Sequence, residues 1–138
     1  MTGVQTCALP ILEARFGPDV ELTPSSKEFA SFDAKHPEVG DVTIIDDGDE
    51  LTVYVGNIAH GHFGSYEDGL SAAEHEAFIA DELINFLVEL FADEYLLFKS
   101  KWSGGWARRE VVTESEMRSP KTHWFKWSGP IDFNKNPT

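Results

Sequence analysis

Cysteine, basic residues and long apolar runs are all scarce in this chain of 138 residues, and each shortage excludes something. Cys7 is the single cysteine, so no disulfide forms within the chain and a disulfide-stapled scaffold is excluded. One unpaired thiol fits a reducing compartment, and a cytoplasmic location is the expectation. No uninterrupted apolar stretch reaches the roughly 18 residues of a membrane-spanning helix, so no membrane is expected. Lys and Arg number 11 against 24 Asp and Glu, a net charge of −13. So acidic a surface repels phosphate backbones, and direct nucleic-acid binding is not expected. The chain also has no Gly-x-Ser-x-Gly elbow, no Gly-x-x-x-x-Gly-Lys phosphate loop and no dinucleotide fingerprint. Enzyme classes that depend on those devices are disfavoured.

What is present is enough for one globular domain: 41% hydrophobic, 12% aromatic and 25% charged residues. Charge is uneven along it. Residues 1–100 hold 20 acids and 4 bases, whereas residues 101–138 hold 4 acids and 7 bases. The acidic body would attract a basic partner, or it serves only to keep the protein in solution.

Asp19 to Leu22 and Phe29 to Lys35 read as short strands, the second weakly. Val42–Asp46 and Leu51–Val55 are β-branched runs on either side of Asp47-Gly48-Asp49, a strong hairpin signal. Leu51, Val53 and Val55 then share the core face, with Thr52 and Tyr54 opposite. The glycine-rich stretch 56–64 is an irregular strand or an ordered loop. Ser71-Ala-Ala-Glu74 is a capping box, and the helix it starts runs to about Asp93, with Ile79, Leu83, Phe86, Leu87 and Leu90 as its core stripe. Phe78, Ile84 and Phe91 widen that stripe. Strands are expected over 95–101, 106–113 and 123–127, with Trp102 and Trp106 pairing across the turn at Ser103-Gly104-Gly105. The fold class is therefore α+β: an antiparallel sheet of four to six strands packed against one main helix at about 71–93.

Gly3 to Ile11 resembles the conceptual translation of a short-read sequencing adapter. That resemblance implies a draft or metagenomic assembly, a missing natural N-terminus, and residues 1–11, Cys7 included, outside the fold. The domain is then expected over 12–130, followed by a loose tail at 131–138. Leu12–Phe16 would be the end of a truncated helix with Gly17 at its C-cap. Asp46-Asp-Gly-Asp-Glu50, His60-Gly-His-Phe63, the helix at 83–91 and Ser103-Gly-Gly-Trp106 together resemble a small bacterial domain, a likeness that carries no activity and no functional residue. In size, acidity and layout the chain is also similar to immunity proteins of bacterial toxin systems, which implies a basic toxin or nuclease as partner.

Four groups of residues carry possible chemistry. His60 and His62, at i and i+2 on a strand, would point to one side, as in strand-borne transition-metal sites. His36, Glu67, Asp68, Glu74 or His75 could add a third ligand; otherwise the pair hydrogen-bonds the loop or neighbouring acids. The acidic tip with Asp47 and Asp49 lacks the spacing of a calcium loop and reads as a solvated turn or a contact for a basic partner. Asp41, Glu67, Asp68, Glu74 and Asp81 could supply an acid–base pair, but spacing alone brings no two of them together. In the basic, aromatic C-terminal section Trp102, Trp106 and Arg108 suit a protein interface, or the tryptophans cap the core while the bases pair with the acidic body. The leading expectation is a non-enzymatic, inhibitor- or immunity-like module that binds a basic protein. The alternative is a metal-binding protein or small metal-dependent enzyme centred on His60 and His62.

Overall fold

The structure, a computed structural model, describes residues 3–65 and 68–131. Two antiparallel sheets and two long helices share one core. Strands β1 (Val20–Leu22), β2 (Glu28–Phe32), β3 (Val42–Asp46), β4 (Leu51–Val55) and β5 (Ala59–Phe63) pair in sequence order as a five-stranded meander. Helix α1 (Gly3–Phe16) precedes them and helix α2 (Ala72–Phe91) follows. Strands β6 (Tyr95–Ser100), β7 (Gly104–Arg108), β8 (Thr122–Lys126) and β9 (Gly129–Ile131) form the second sheet in the order β7-β6-β8-β9, with the single-turn helix α3 (Glu114–Met117) between β7 and β8.

The α+β class and the main helix are as the sequence indicates; the strands divide into two sheets rather than one. The hairpin of β3 and β4 sits where the β-branched runs predict it, with Ile44 opposite Val53. Val42, Ile44, Leu51, Val53 and Val55 are buried on one face, the outcome of two-residue alternation. β2 carries a bulge between Glu28 and Ala30, which puts Phe29 in the core and breaks the alternation expected there.

The α2 capping box is complete, since Glu74 N–H donates to Ser71 Oγ and Ser71 N–H donates to the Glu74 carboxylate. The helix buries Ile79, Ala80, Leu83, Phe86, Leu87 and Leu90. Phe78, expected to widen this stripe, is instead 39% exposed. The chain leaves α2 two residues earlier than expected, and Asp93 ties its end to the β8–β9 turn by accepting from Ser128 N–H at 3.1 Å and Oγ–H at 2.8 Å.

Residues 3–11, set apart by their resemblance, form most of α1, and Val4, Ala8, Leu9 and Leu12 join the same core. Gln5 is buried too; its amide donates to Asp46 Oδ2 at 3.1 Å and its carbonyl accepts from Ser25 N–H at 2.7 Å. β9 continues where Gly129-Pro130 suggests an end, with Pro130 on the outer strand of its sheet, where a missing N–H costs no ladder bond. Of the expected tail, residues 132–138 lie outside the described residues.

α2 joins the two sheets. Phe86 touches Phe63 of β5, Tyr95 of β6 and Trp106 of β7, at ring-centroid distances of 5.3, 5.1 and 4.5 Å. Trp106 lies so close to Gly61 that a Cβ added there would stand 2.5 Å from the indole ring. The glycine is what lets the two sheets meet.

Candidate functional site

Strand register builds the site. Glu21, Ser31, Thr43, Tyr54 and His60 pair successively across the meander as one row, and Ile45, Thr52 and His62 form the next row on the same side. This is the face turned away from the core. His60 and His62 do share it, as their spacing predicts, and their rings meet edge to face at 5.8 Å. Tyr54 stacks on His60 at 5.3 Å and is 40% exposed.

Asp47 and Glu50 join His62 from the β3–β4 turn. Asp47, Glu50 and His62 each bring one ligand-type atom into a group within 4.8 Å of one another. Thr52 organises them. Its side chain is 2% exposed, and its hydroxyl donates to Asp47 Oδ2 and lies 2.9 Å from His62 Nδ1. With the hydroxyl proton committed to Asp47, Nδ1–H is the donor in the second contact. Glu50 Oε1 lies 3.3 Å from the same nitrogen, and Lys27 Nζ 3.9 Å from Asp47 Oδ1. A proton now sits among groups that could equally hold a metal ion.

This triad differs from the expected ones. His60 packs on Tyr54 rather than entering it. His36 Nδ1 accepts from Glu38 N–H, Glu74 closes the α2 cap and His75 meets Ser65 at 2.7 Å. Glu67 lies outside the described residues, and Asp68 forms no such cluster among them. Asp49 is exposed at the turn beside this cluster and outside it. Asp46 turns inward to Gln5 and Gly48.

The C-terminal aromatics divide. Trp102 and Trp106 do not pair across the turn: Trp106 is opposite Leu97, and Trp102 lies in the turn itself, 86% exposed, with Lys101 Nζ 5.0 Å from its ring centroid. Trp106 is half-buried, and Trp124 and Trp127 are buried. Arg108 pairs with Glu89 at 2.7 Å and lies over the Tyr95 ring.

Among the described residues, four groups have displaced proton affinities, and each has a local cause. Hydrogen bonds from the Ser71 backbone and hydroxyl hold Glu74 below its usual range, and Thr113 does the same for Glu116. Burial raises Tyr95, and the hydrogen bond to Glu89 raises Arg108. Their causes are two helix caps, one ion pair and the burial of a tyrosine.

No family model matches the chain, and no curated protein or solved structure matches it. Among the described residues no helix is long and apolar enough to cross a membrane. Geometry and chemistry therefore carry the functional argument.

Spacing in the sequence does not mark Asp47 and Glu50 as companions of His62. The signal lay in the β4–β5 turn: once Val55 pairs with Ala59, Thr52 must face His62, which brings the turn acids within reach.

Proposed function

We propose that this protein is a non-enzymatic binding module that takes a basic protein partner on the outer face of the meander. The observation that supports the reading is the face itself. Tyr54, His60 and His62 form an aromatic centre, with Asp47 and Glu50 beside it and Glu21 at the far edge of the same row. An exposed tyrosine can anchor a partner, and the acids steer a basic one by an attraction that salt weakens.

A photo-crosslinking residue at position 43, in the central strand of that face, tests this in cell extract. A second chain carries it in place of Asp81, an exposed acid on α2. A basic protein should crosslink from position 43 and not from 81, and at least tenfold less in 0.5 M salt than in 0.05 M. Equal labelling from both positions, or labelling unaffected by salt, would overturn the reading.

The 4.8 Å grouping of Asp47, Glu50 and His62 supports a second reading, a divalent transition-metal site of mixed imidazole and carboxylate ligands. Protons compete with a metal for imidazole and carboxylate ligands, so affinity should rise with pH. At one hundred times Kd, a metal should stabilise the chain by about 2.7 kcal/mol. Melting in chelator and then in zinc, nickel or manganese measures this, with His62→Ala abolishing the shift and His60→Ala leaving it. A shift that survives His62→Ala, or none with any of the three metals, rules the site out.

A further inference from the structure

The turn between β6 and β7 carries charge of the sign that the rest of the molecule lacks. Residues 95–109 and 117–131, which supply the whole second sheet, contain no Asp or Glu in a chain that has 24 of them. Strand register gathers their bases at one end. Lys99 on β6 is opposite His123 on β8, so the two side chains stand on the same side of the sheet. Ser100 is opposite Thr122, so Lys101 and Lys121 follow at that same end. All three lysines are exposed, and among the described residues none of them forms an ion pair. The acids of α3, which packs against β8, are engaged within their own segment. Glu114 holds Arg118 at 2.6 Å, and Glu116 accepts from Thr113 N–H and Oγ1–H.

Trp102 stands at the tip of this end. Trp124 and Trp127 are buried and Trp106 is half-buried, whereas Trp102 is open to water almost all round. A loose turn is not the reason. The Ser100 hydroxyl accepts from Trp102 N–H at 3.4 Å and from Ser103 N–H at 3.2 Å, and Ser100 N–H donates to the Ser103 carbonyl at 2.8 Å. One serine thus ties the backbone on both sides of the indole. An aromatic side chain held out on a fixed turn loses little freedom when a partner covers it, and tryptophan is a residue type on which binding energy concentrates.

Charge decides the partner. Three unpaired lysines around an indole complement a surface of carboxylates with an apolar side chain among them. The acidic body limits that partner's extent. A nucleic acid or an anionic membrane would reach past the tip and meet the acids of the body, whereas a short protein segment lies within the roughly 8 Å over which charges act at physiological salt.

We propose that the β6–β7 tip docks an acidic segment of a partner protein, with carboxylates on Lys99, Lys101 and Lys121 and an apolar side chain on the Trp102 indole. The surface lies on the second sheet and is independent of the outer face of the meander.

Fluorescence anisotropy with the full chain tests the proposal, using a fluorescein-labelled peptide of four Glu-Glu-Leu repeats as the probe. Binding should saturate with a Kd below about 1 mM and weaken at least tenfold between 0.05 M and 0.5 M salt. Trp102→Ala and Lys101→Glu should each weaken it at least fivefold. Lys35→Glu makes the same change of charge at a groove shared with Trp127, beyond the other end of β8, and should alter the Kd less than twofold. No rise in anisotropy up to about 1 mM protein, unchanged affinity in Trp102→Ala, or equal losses in Lys101→Glu and Lys35→Glu would overturn the proposal. Tighter binding of a twelve-nucleotide oligothymidylate or of phosphatidylglycerol vesicles than of the peptide would also overturn it, and would give the tip to a phosphate-bearing partner instead.

Discussion

At the scale of single residues, Thr52 shows how a small side chain fixes larger ones. β-Branched residues favour strands, and alternation sends this one outward, away from Leu51 and Val53. It is nevertheless buried, because Asp47 and His62 close over its hydroxyl. Thr52→Val keeps the shape and the strand preference while removing both hydrogen bonds. Its partners can turn to water, so the expected loss is about 1 kcal/mol, read as a lower urea midpoint with unchanged slope. Thr43→Val, one strand away on the same face, should change the midpoint little. Equal effects from the two would mean that the Thr52 bridge contributes nothing particular to its site.

The elements differ in how openly the sequence declares them. α2 has a cap, a stripe and a length that agree, and its start is correctly placed at Ser71. Ser71→Ala should cost about 1 kcal/mol in thermal or urea unfolding. The cap also has an acid-side signature. Glu74 is held below 4.5, so its contribution is full above that pH and fades as pH falls through its lower folded value. Glu74→Gln cannot titrate, so the stability gap between wild type and variant should close as pH drops below 4.5. A gap that stays constant with pH would remove the carboxylate from the account. The β3–β4 hairpin was equally legible, because β-branched runs and an Asp-Gly turn give the same answer. β9 was not: three residues including a proline carry no period, and only pairing with β8 makes them a strand. α1 was obscured differently. Its buried residues, Val4, Ala8, Leu9 and Leu12, do follow helical spacing, but the resemblance of 3–11 to adapter sequence set them aside. The metal-type triad needed a turn and a register together, which no single stretch of sequence displays.

For the molecule as a whole, the decisive contact is where the sheets meet. Phe86 supplies the floor, Trp106 the roof, and Gly61 the space between β5 and β7. Gly61→Ala puts a methyl group where the indole ring already is. The expected cost is about 1–3 kcal/mol, the usual price of overpacking, with the Trp106 environment shifted in near-UV circular dichroism. Gly61→Ala combined with Trp106→Leu should lose less than the separate losses added together, because the smaller side chain makes room for the methyl group. Additive losses would show that the contact is not tight. The same geometry constrains descent. A lineage can enlarge position 61 only after, or together with, a reduction at position 106. Among relatives of this chain, a glycine at the first position should accompany the large aromatic at the second, and the two should be inherited as a pair although they lie on different sheets.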